Sequence, residues 1–242
     1  MHEQLARKLV AQTLAQYNRI APEFDSTRGQ SEDFTGLTQY VKQGDLVLDV
    51  GCGNGRLADV MRDRGVNMIG VDGSGELIAR CRQKYSADSD AGWLGFTVAD
   101  VLELPFDGEQ FDVVFMLAVM HHIPSEALRL QLCRDIRSMT KRGGLWIGTT
   151  WNLRGVEFQT RYALAEQFAH PTSGFDSGDV TIPWKASGDV ADRYCHAFTC
   201  DELRKIFELC GWRVRDLYPV TRQFVTIDES SAHNLFWVLE AC

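Results

Sequence analysis

The stretch "DLVLDVGCGNGR", residues 45–56, decides how this chain of 242 residues folds. Residues 45–51 form an apolar run of strand length, and the run ends in a turn built on Gly51, Gly53 and Gly55. A dinucleotide fingerprint is G-x-G-x-x-G, whose third glycine lets helix and strand pack closely beneath a pyrophosphate. Here the third glycine comes one place early, at Gly55, and Arg56 takes the dinucleotide position. The next apolar run, residues 67–72, still closes on an acid, Asp72, where a carboxylate can accept both hydroxyls of a ribose. The pattern points to a nucleoside ligand and away from a pyrophosphate.

Working outward, residues 95–100, 111–117 and 143–151 supply further strand-length apolar runs, and helical patterns fill the gaps at 55–65, 74–85 and 125–139. Ser125, behind Pro124, is placed as an N-cap. Strands alternating with helices predict a parallel, doubly wound sheet with helices on both faces. Residues 152–197 lack clear periodicity and are rich in Gly, Ser, Asp and Pro; so long an irregular stretch predicts a lid or binding loop after the fifth strand. Residues 199–211 then read as a helix capped by Thr199 or Asp201 and ended by Gly211, and 212–220 and 231–241 as two closing strands.

A content of 45% hydrophobic and 24% charged residues describes one large globular domain. A net charge of −8 argues against a surface that binds polyanions throughout, and leaves a local basic face open. Seven cysteines at scattered positions suit free thiols in a reducing compartment. Cys195 and Cys200 make a single C-x4-C pair, short of the four ligands of a structural zinc site, so no metal site is expected. No run approaches the ~18 apolar residues of a membrane helix, which predicts a cytoplasmic protein without a membrane partner. Near the amino terminus Leu5, Leu9, Val10, Leu14, Tyr17 and Ile20 form an apolar stripe, read as packing on the sheet domain or as a partner surface.

The motifs "LDVGCGNG", "GVD" and "VADVLELPF", in this order, resemble the class I S-adenosylmethionine-dependent methyltransferases over residues 45–151. The resemblance implies an α/β Rossmann-like fold: a mostly parallel seven-stranded sheet with the last strand antiparallel. Residues 1–44 would be an N-terminal helical cap, 45–151 the cofactor core, 152–198 a substrate lid and 199–242 a closing unit. It implies S-adenosyl-L-methionine as cofactor, with Asp49, Gly51 and Gly53 beside its methionine part. Asp72 would hold the ribose, Asp100 with Val101 the adenine, and Leu117 would sit beside the sulfonium.

Three further segments narrow the resemblance. "YNRIAPEFDSTRG" (17–29), with Pro22 read as helix-breaking, is similar to the opening segment of the tRNA wobble-uridine methyltransferases, which esterify 5-carboxymethyluridine. "LAVMHHIPSEALRLQLCRDI" (117–136) resembles their double-histidine turn, and "IPW" with "RYCHAFTCDEL" their late substrate segment. Cys195 departs from the family pattern, which favours an aromatic there, and the length between Trp151 and Ile182 also departs. The partners implied are a tRNA anticodon loop and a small zinc-binding activator subunit.

A carboxylate acceptor, whose pKa in a free acid is about 4.3, is ionised at neutral pH and needs no general base. The site must align one oxygen with the methyl group and hold the other, a task suited to the planar fork of arginine. Arg28 and Arg193 are the candidates, with Tyr194 and His121 as further catalytic donors and His122 on the substrate side. Arg28 serves equally as a clamp on the cofactor carboxylate, beside Tyr17. Adjacent residues rarely point the same way, so one of His121 and His122 at most should face the pocket. Trp184 beside Lys185 could stack on an unstacked base, while His196 and Phe198 read as core or hinge residues. The sheet motifs also serve methyltransferases of quinone precursors or small carboxylic acids, and a non-catalytic binding partner with the same fold.

Overall fold

The structure is a computed structural model that describes residues 1–27, 33–186 and 189–242, with side chains at 25–27, 185–186 and 189–191 left out of the description. It opens on helix α1 (Glu3–Thr27) and a 3-10 turn at Thr35–Tyr40. Strands β1 (Leu46–Val50), β2 (Asn67–Asp72), β3 (Leu94–Val98), β4 (Phe111–Leu117) and β5 (Thr140–Trp151) follow. Between them lie helices α2 (Arg56–Met61), α3 (Gly75–Lys84), α4 (Ser86–Asp90) and α5 (Glu126–Met139). Next come α6 (Val156–Tyr162), α7 (Leu164–Ala169), the hairpin strands β6 (Asp179–Ala186) and β7 (Asp189–His196), α8 (Cys200–Leu209), β8 (Trp212–Val220) and β9 (Asn234–Ala241).

Seven strands form one sheet in the order β3-β2-β1-β4-β5-β9-β8, parallel except for β9, which runs antiparallel to both β5 and β8. This is the Rossmann-like arrangement expected, with its last strand reversed. Successive residues face opposite layers. Leu48, Val114, Met116 and Trp146 enter one core, and Val47, Val113, Phe115 and Ile147 the other, which is why these strands read as unbroken apolar runs. The order reverses between β1 and β4, and at such a switch point the carboxyl ends of the strands leave a crevice for a ligand. Side-chain caps fix the helices around it: Ser74 accepts from the Leu77 amide, Ser125 from Leu128 and Thr199 from Glu202.

Two expectations need correction. Residues 152–197 are not irregular: they hold α6, α7 and the β6–β7 hairpin, whose Val180, Ile182 and Cys195 pack with Trp151, Leu153, Phe158 and Leu164 in a third core. Pro22 does not break the first helix but lies inside α1. Its ring removes one helical hydrogen bond, and tertiary contacts carry the helix across the gap. The Asn18 amide oxygen, one turn earlier, accepts from Ser74 Oγ at 2.8 Å and from the Glu76 amide at 3.3 Å, tying α1 to the start of α3.

Candidate active site

The crevice at the switch point is a cleft with about 1140 Å³ of open space, its mouth included. Its floor comes from Asp49, Gly51, Gly53, Asp72, Asp100, Val101 and Leu117, at or just past the ends of β1 to β4; its roof comes from Val10, Leu14, Tyr17 and Phe24 of α1. Part of the apolar stripe of α1, Val10, Leu14 and Tyr17, therefore faces the cleft rather than only packing on the sheet. Its spacing of three to four residues announced a buried face without naming what lay beneath it.

Gly51 has φ +72, and a Cβ there would lie 2.4 Å from Val119 Cγ2. The loop is thus bare backbone, open to close approach by a ligand. Gly51→Ala is expected to destabilise the fold and to weaken cofactor binding by at least about tenfold, through the positive φ and the displaced Val119. Thermal melts and calorimetry check it; binding unchanged from wild type would contradict it.

Asp72 accepts the Gly53 amide on Oδ2 at 2.9 Å and the Ser74 amide on Oδ1 at 2.8 Å. Burial raises its carboxyl above the ordinary range, and these two amides only partly offset that. Asp49 is raised to about 7, first by burial and next by Asp72, with Arg56 opposing. A carboxyl raised on folding holds a proton in the native state that the unfolded chain has released. Stability should therefore fall as pH rises from about 4 towards about 7 and level off above, and Asp49→Asn should flatten that slope. Melting temperature against pH is the check; equal slopes in both proteins would remove Asp49 as the cause.

From one wall of the cleft a chain of polar groups runs back into the protein. His122, which lines the cleft, has Nδ1 2.9 Å from the Tyr194 carbonyl, an acceptor only, so Nδ1 carries a proton. In the neutral ring Nε2 then accepts the Tyr17 hydroxyl proton, at 2.8 Å. On its other side the Tyr17 oxygen faces Arg193 Nη1 at 3.4 Å. Arg193 is 1% exposed, and its guanidinium lies between two indoles, 5.1 Å from the ring centre of Trp151 and 5.0 Å from that of Trp184. Among the described residues no carboxylate comes within ion-pair distance of it, and its buried Nε has no hydrogen-bond partner.

The remaining candidates fall elsewhere. His121 is fully buried, with Nδ1 3.1 Å from Thr150 Oγ1 and its ring stacked on Trp151, so of the adjacent pair only His122 lines the cleft. Tyr194 does not present its hydroxyl to the cleft: it donates to Asp179 Oδ1 at 2.5 Å and accepts from Arg129 at 2.9 Å. The two residues follow one another on β7, where successive side chains take opposite faces, so Arg193 and Tyr194 cannot both reach one ligand. Trp184 is half-buried against Phe24 and Arg193, while Arg28 and the side chain of Lys185 lie outside the described residues. Ligand atoms of His121, His122 and Cys195 lie within 4.8 Å of one another. Burial pushes the Cys195 thiol up to about 12, which opposes the thiolate that a metal needs, and His122 Nδ1 is engaged by a carbonyl. Trp151, which joins the cleft to Arg193, was not singled out because its own run reads as the end of a strand.

Residues 47–144 match the methyltransferase domain family. The chain carries a methyltransferase domain. Its sheet and helices match the CcbJ methyltransferase from Streptomyces caelestis at a TM-score of 0.72 and 15% identity, over 96% of this chain and 99% of that one. They match a Haloferax volcanii methyltransferase, solved as a complex with the Trm112 activator, at a TM-score of 0.63 and 18% identity, over 93% and 97%. Among curated relatives, a tRNA (carboxymethyluridine(34)-5-O)-methyltransferase of Saccharomyces cerevisiae is 32% identical over 69% of this chain and 54% of its own length. The Schizosaccharomyces pombe protein of the same name is 27% identical over 81% and 86%. A ubiquinone biosynthesis O-methyltransferase of Roseobacter denitrificans is 33% identical over 55% of this chain and 49% of its own. The chain thus spans about half the length of the budding-yeast and Roseobacter relatives. S-adenosylmethionine is the cofactor of this domain, and the cleft fits it: a bare glycine loop, a partly buried acid at the end of β2 and apolar walls under α1. Among the described residues no helix is long and apolar enough to cross a membrane.

Proposed function

We propose that the chain methylates a carboxylate, that of 5-carboxymethyluridine at the wobble position of a tRNA anticodon, to give the methyl ester. The observation that carries this reading is Arg193, a buried guanidinium held between Trp151 and Trp184 with no carboxylate beside it among the described residues. Leaving such a charge uncompensated costs several kcal/mol, on the order of what an anionic ligand restores. The two yeast relatives are named for this acceptor, which supports the same reading.

In this proposal Gly51 and Gly53 offer bare backbone to the methionine part of the cofactor, and Asp49 meets its ammonium group. Asp72 takes the ribose hydroxyls, Asp100 and Val101 meet the adenine, and Leu117 packs beside the sulfur. When bound, the cofactor supplies an electrophilic methyl group. The chain's own residues orient the acceptor: Arg193 holds one carboxylate oxygen, and Tyr17, fixed by His122, shapes the wall past which the other oxygen reaches the cleft. No proton has to be removed, because the acceptor is already ionised. Trp184 is the aromatic beside which an unstacked uracil can rest. The anticodon loop is the macromolecular partner, and a small zinc-binding activator subunit, in the place that Trm112 holds in the Haloferax complex, is a second.

The test is nucleoside analysis of tRNA carrying 5-carboxymethyluridine after incubation with the protein and cofactor, with and without such a subunit. Appearance of the methyl ester is expected. The identity with a ubiquinone O-methyltransferase favours a second reading, a small carboxylic acid or phenol as acceptor. Methylation of such a metabolite with no tRNA modified would establish that reading in place of ours.

A further inference from the structure

We propose that His196 is a positioning residue for the acceptor wall, clamping strand β7 in the register that sets Arg193 against Tyr17 and Trp151 and the Tyr194 carbonyl against His122. The inference rests on the reading of Arg193 given above. His196 reaches a carboxylate from each ring nitrogen: Nδ1 lies 2.6 Å from Asp179 Oδ1 on β6, and Nε2 lies 2.8 Å from Glu202 Oε1 on α8. Asp179 Oδ1 also accepts the Tyr194 hydroxyl and faces Arg129 Nη2 at 3.4 Å, while its Oδ2 accepts the Asp176 amide at 2.8 Å. Arg129 of α5 completes the cluster, with Nη1 3.7 Å from Glu202 and Nε donating to the Ile123 carbonyl at 3.0 Å.

Burial alone would raise the Asp179 and Glu202 carboxyls, but hydrogen bonds, those from His196 foremost, hold both below their ordinary values. Arg129, Asp179, Tyr194 and His196 are all nearly inaccessible to solvent. Replacing such a buried polar cluster by apolar side chains is often neutral for stability, so its presence is better explained by the geometry that it specifies.

That geometry has leverage on the wall. On β7 the side chains of Tyr194 and His196 enter the cluster, while Arg193 and Cys195 project to the opposite face, where Cys195 Sγ lies 3.7 Å from His122 Nδ1. Fixing residues 194 and 196 therefore fixes where 193 points. The same cluster grips the Ile123 carbonyl, one residue after His122. Both ends of the chain Arg193, Tyr17, His122 are thus held from behind by one set of contacts that touches no ligand. A displacement of about 1 Å at an acceptor holder can cost ~100-fold in rate.

Glu202→Gln is the mild probe, since Glu202 sits in the first turn of α8 with a side chain 33% exposed and the amide keeps its shape. His196→Gln is the stronger one, because an amide cannot span both carboxylates. Cofactor affinity by calorimetry is expected within about twofold of wild type in both. Methyl transfer to tRNA should fall about tenfold in the first and about a hundredfold in the second, in kcat rather than KM. Amide exchange read by mass spectrometry should quicken in peptides covering β6 and β7 and not in those of β1, β2 and β4. Wild-type exchange in the hairpin with wild-type transfer would overturn the proposal. So would cofactor affinity falling in step with transfer, the mark of a general structural role. Should the wild-type protein methylate no tRNA, the functional reading fails by itself, and hairpin-confined exchange in His196→Gln still decides whether the clamp exists.

Discussion

Arg193→Ala is expected to leave S-adenosylmethionine affinity within about twofold of wild type and to lower methyl transfer by about two to three orders of magnitude. The first half follows from position: Arg193 stands behind Tyr17 and Trp151, on the side of the wall away from the glycine loop and Asp72. The second follows from chemistry. Truncating one partner of a desolvated, hydrogen-bonded charge pair costs about 2–5 kcal/mol, and here the partner is the reacting group, whose alignment is lost as well. Arg193→Lys should fall between, because it keeps the charge and loses the planar fork. Loss of cofactor affinity in Arg193→Ala would move this residue out of the acceptor site.

Asp72→Ala is expected to weaken cofactor binding by at least about a hundredfold. Two hydrogen bonds from ribose hydroxyls to this partly buried carboxylate account for about 3–6 kcal/mol by themselves. The substitution also releases the Gly53 and Ser74 amides that Asp72 now holds, and so loosens the glycine loop against which the methionine part would lie. Asp72→Asn, which keeps one carbonyl oxygen, should retain part of the affinity. Calorimetry with the folded protein reads both, and a loss smaller than about tenfold in Asp72→Ala would show that the ribose is held elsewhere.

The sheet was legible because its determinants are short-range. An apolar run entering "GCGNG" can scarcely be read except as a strand turning into a helix, and Asp72 announced itself as the acid that closes the next strand. The hairpin was not legible, for two physical reasons. Pro183 lies inside β6 and in the sequence argues against a central strand, although a two-stranded hairpin accommodates it. On β7, residues 193–196 are buried on both faces, so the alternation that marks a half-exposed strand is missing. Without that strand, Arg193 and Tyr194 look like equal neighbours; with it, a period of two sends one to the wall and the other into the cluster with Asp179. Arg129, Asp179 and Glu202 could not have been grouped, since they lie far apart in the sequence, on α5, β6 and α8, and the fold brings them together around His196 and Tyr194.

The central claim is that a carboxylate held at Arg193 receives the methyl group. The most direct measurement uses S-adenosylmethionine labelled in its methyl group, tRNA bearing 5-carboxymethyluridine, and mild alkali applied to the product. A methyl ester gives up its label as methanol, whereas a methyl group on a base nitrogen, a ribose oxygen or a phenol stays in place. We expect label in the tRNA, released by alkali, and none in tRNA carrying unmodified uridine or the corresponding amide. Label that survives alkali, or that enters the amide as readily as the acid, would contradict it.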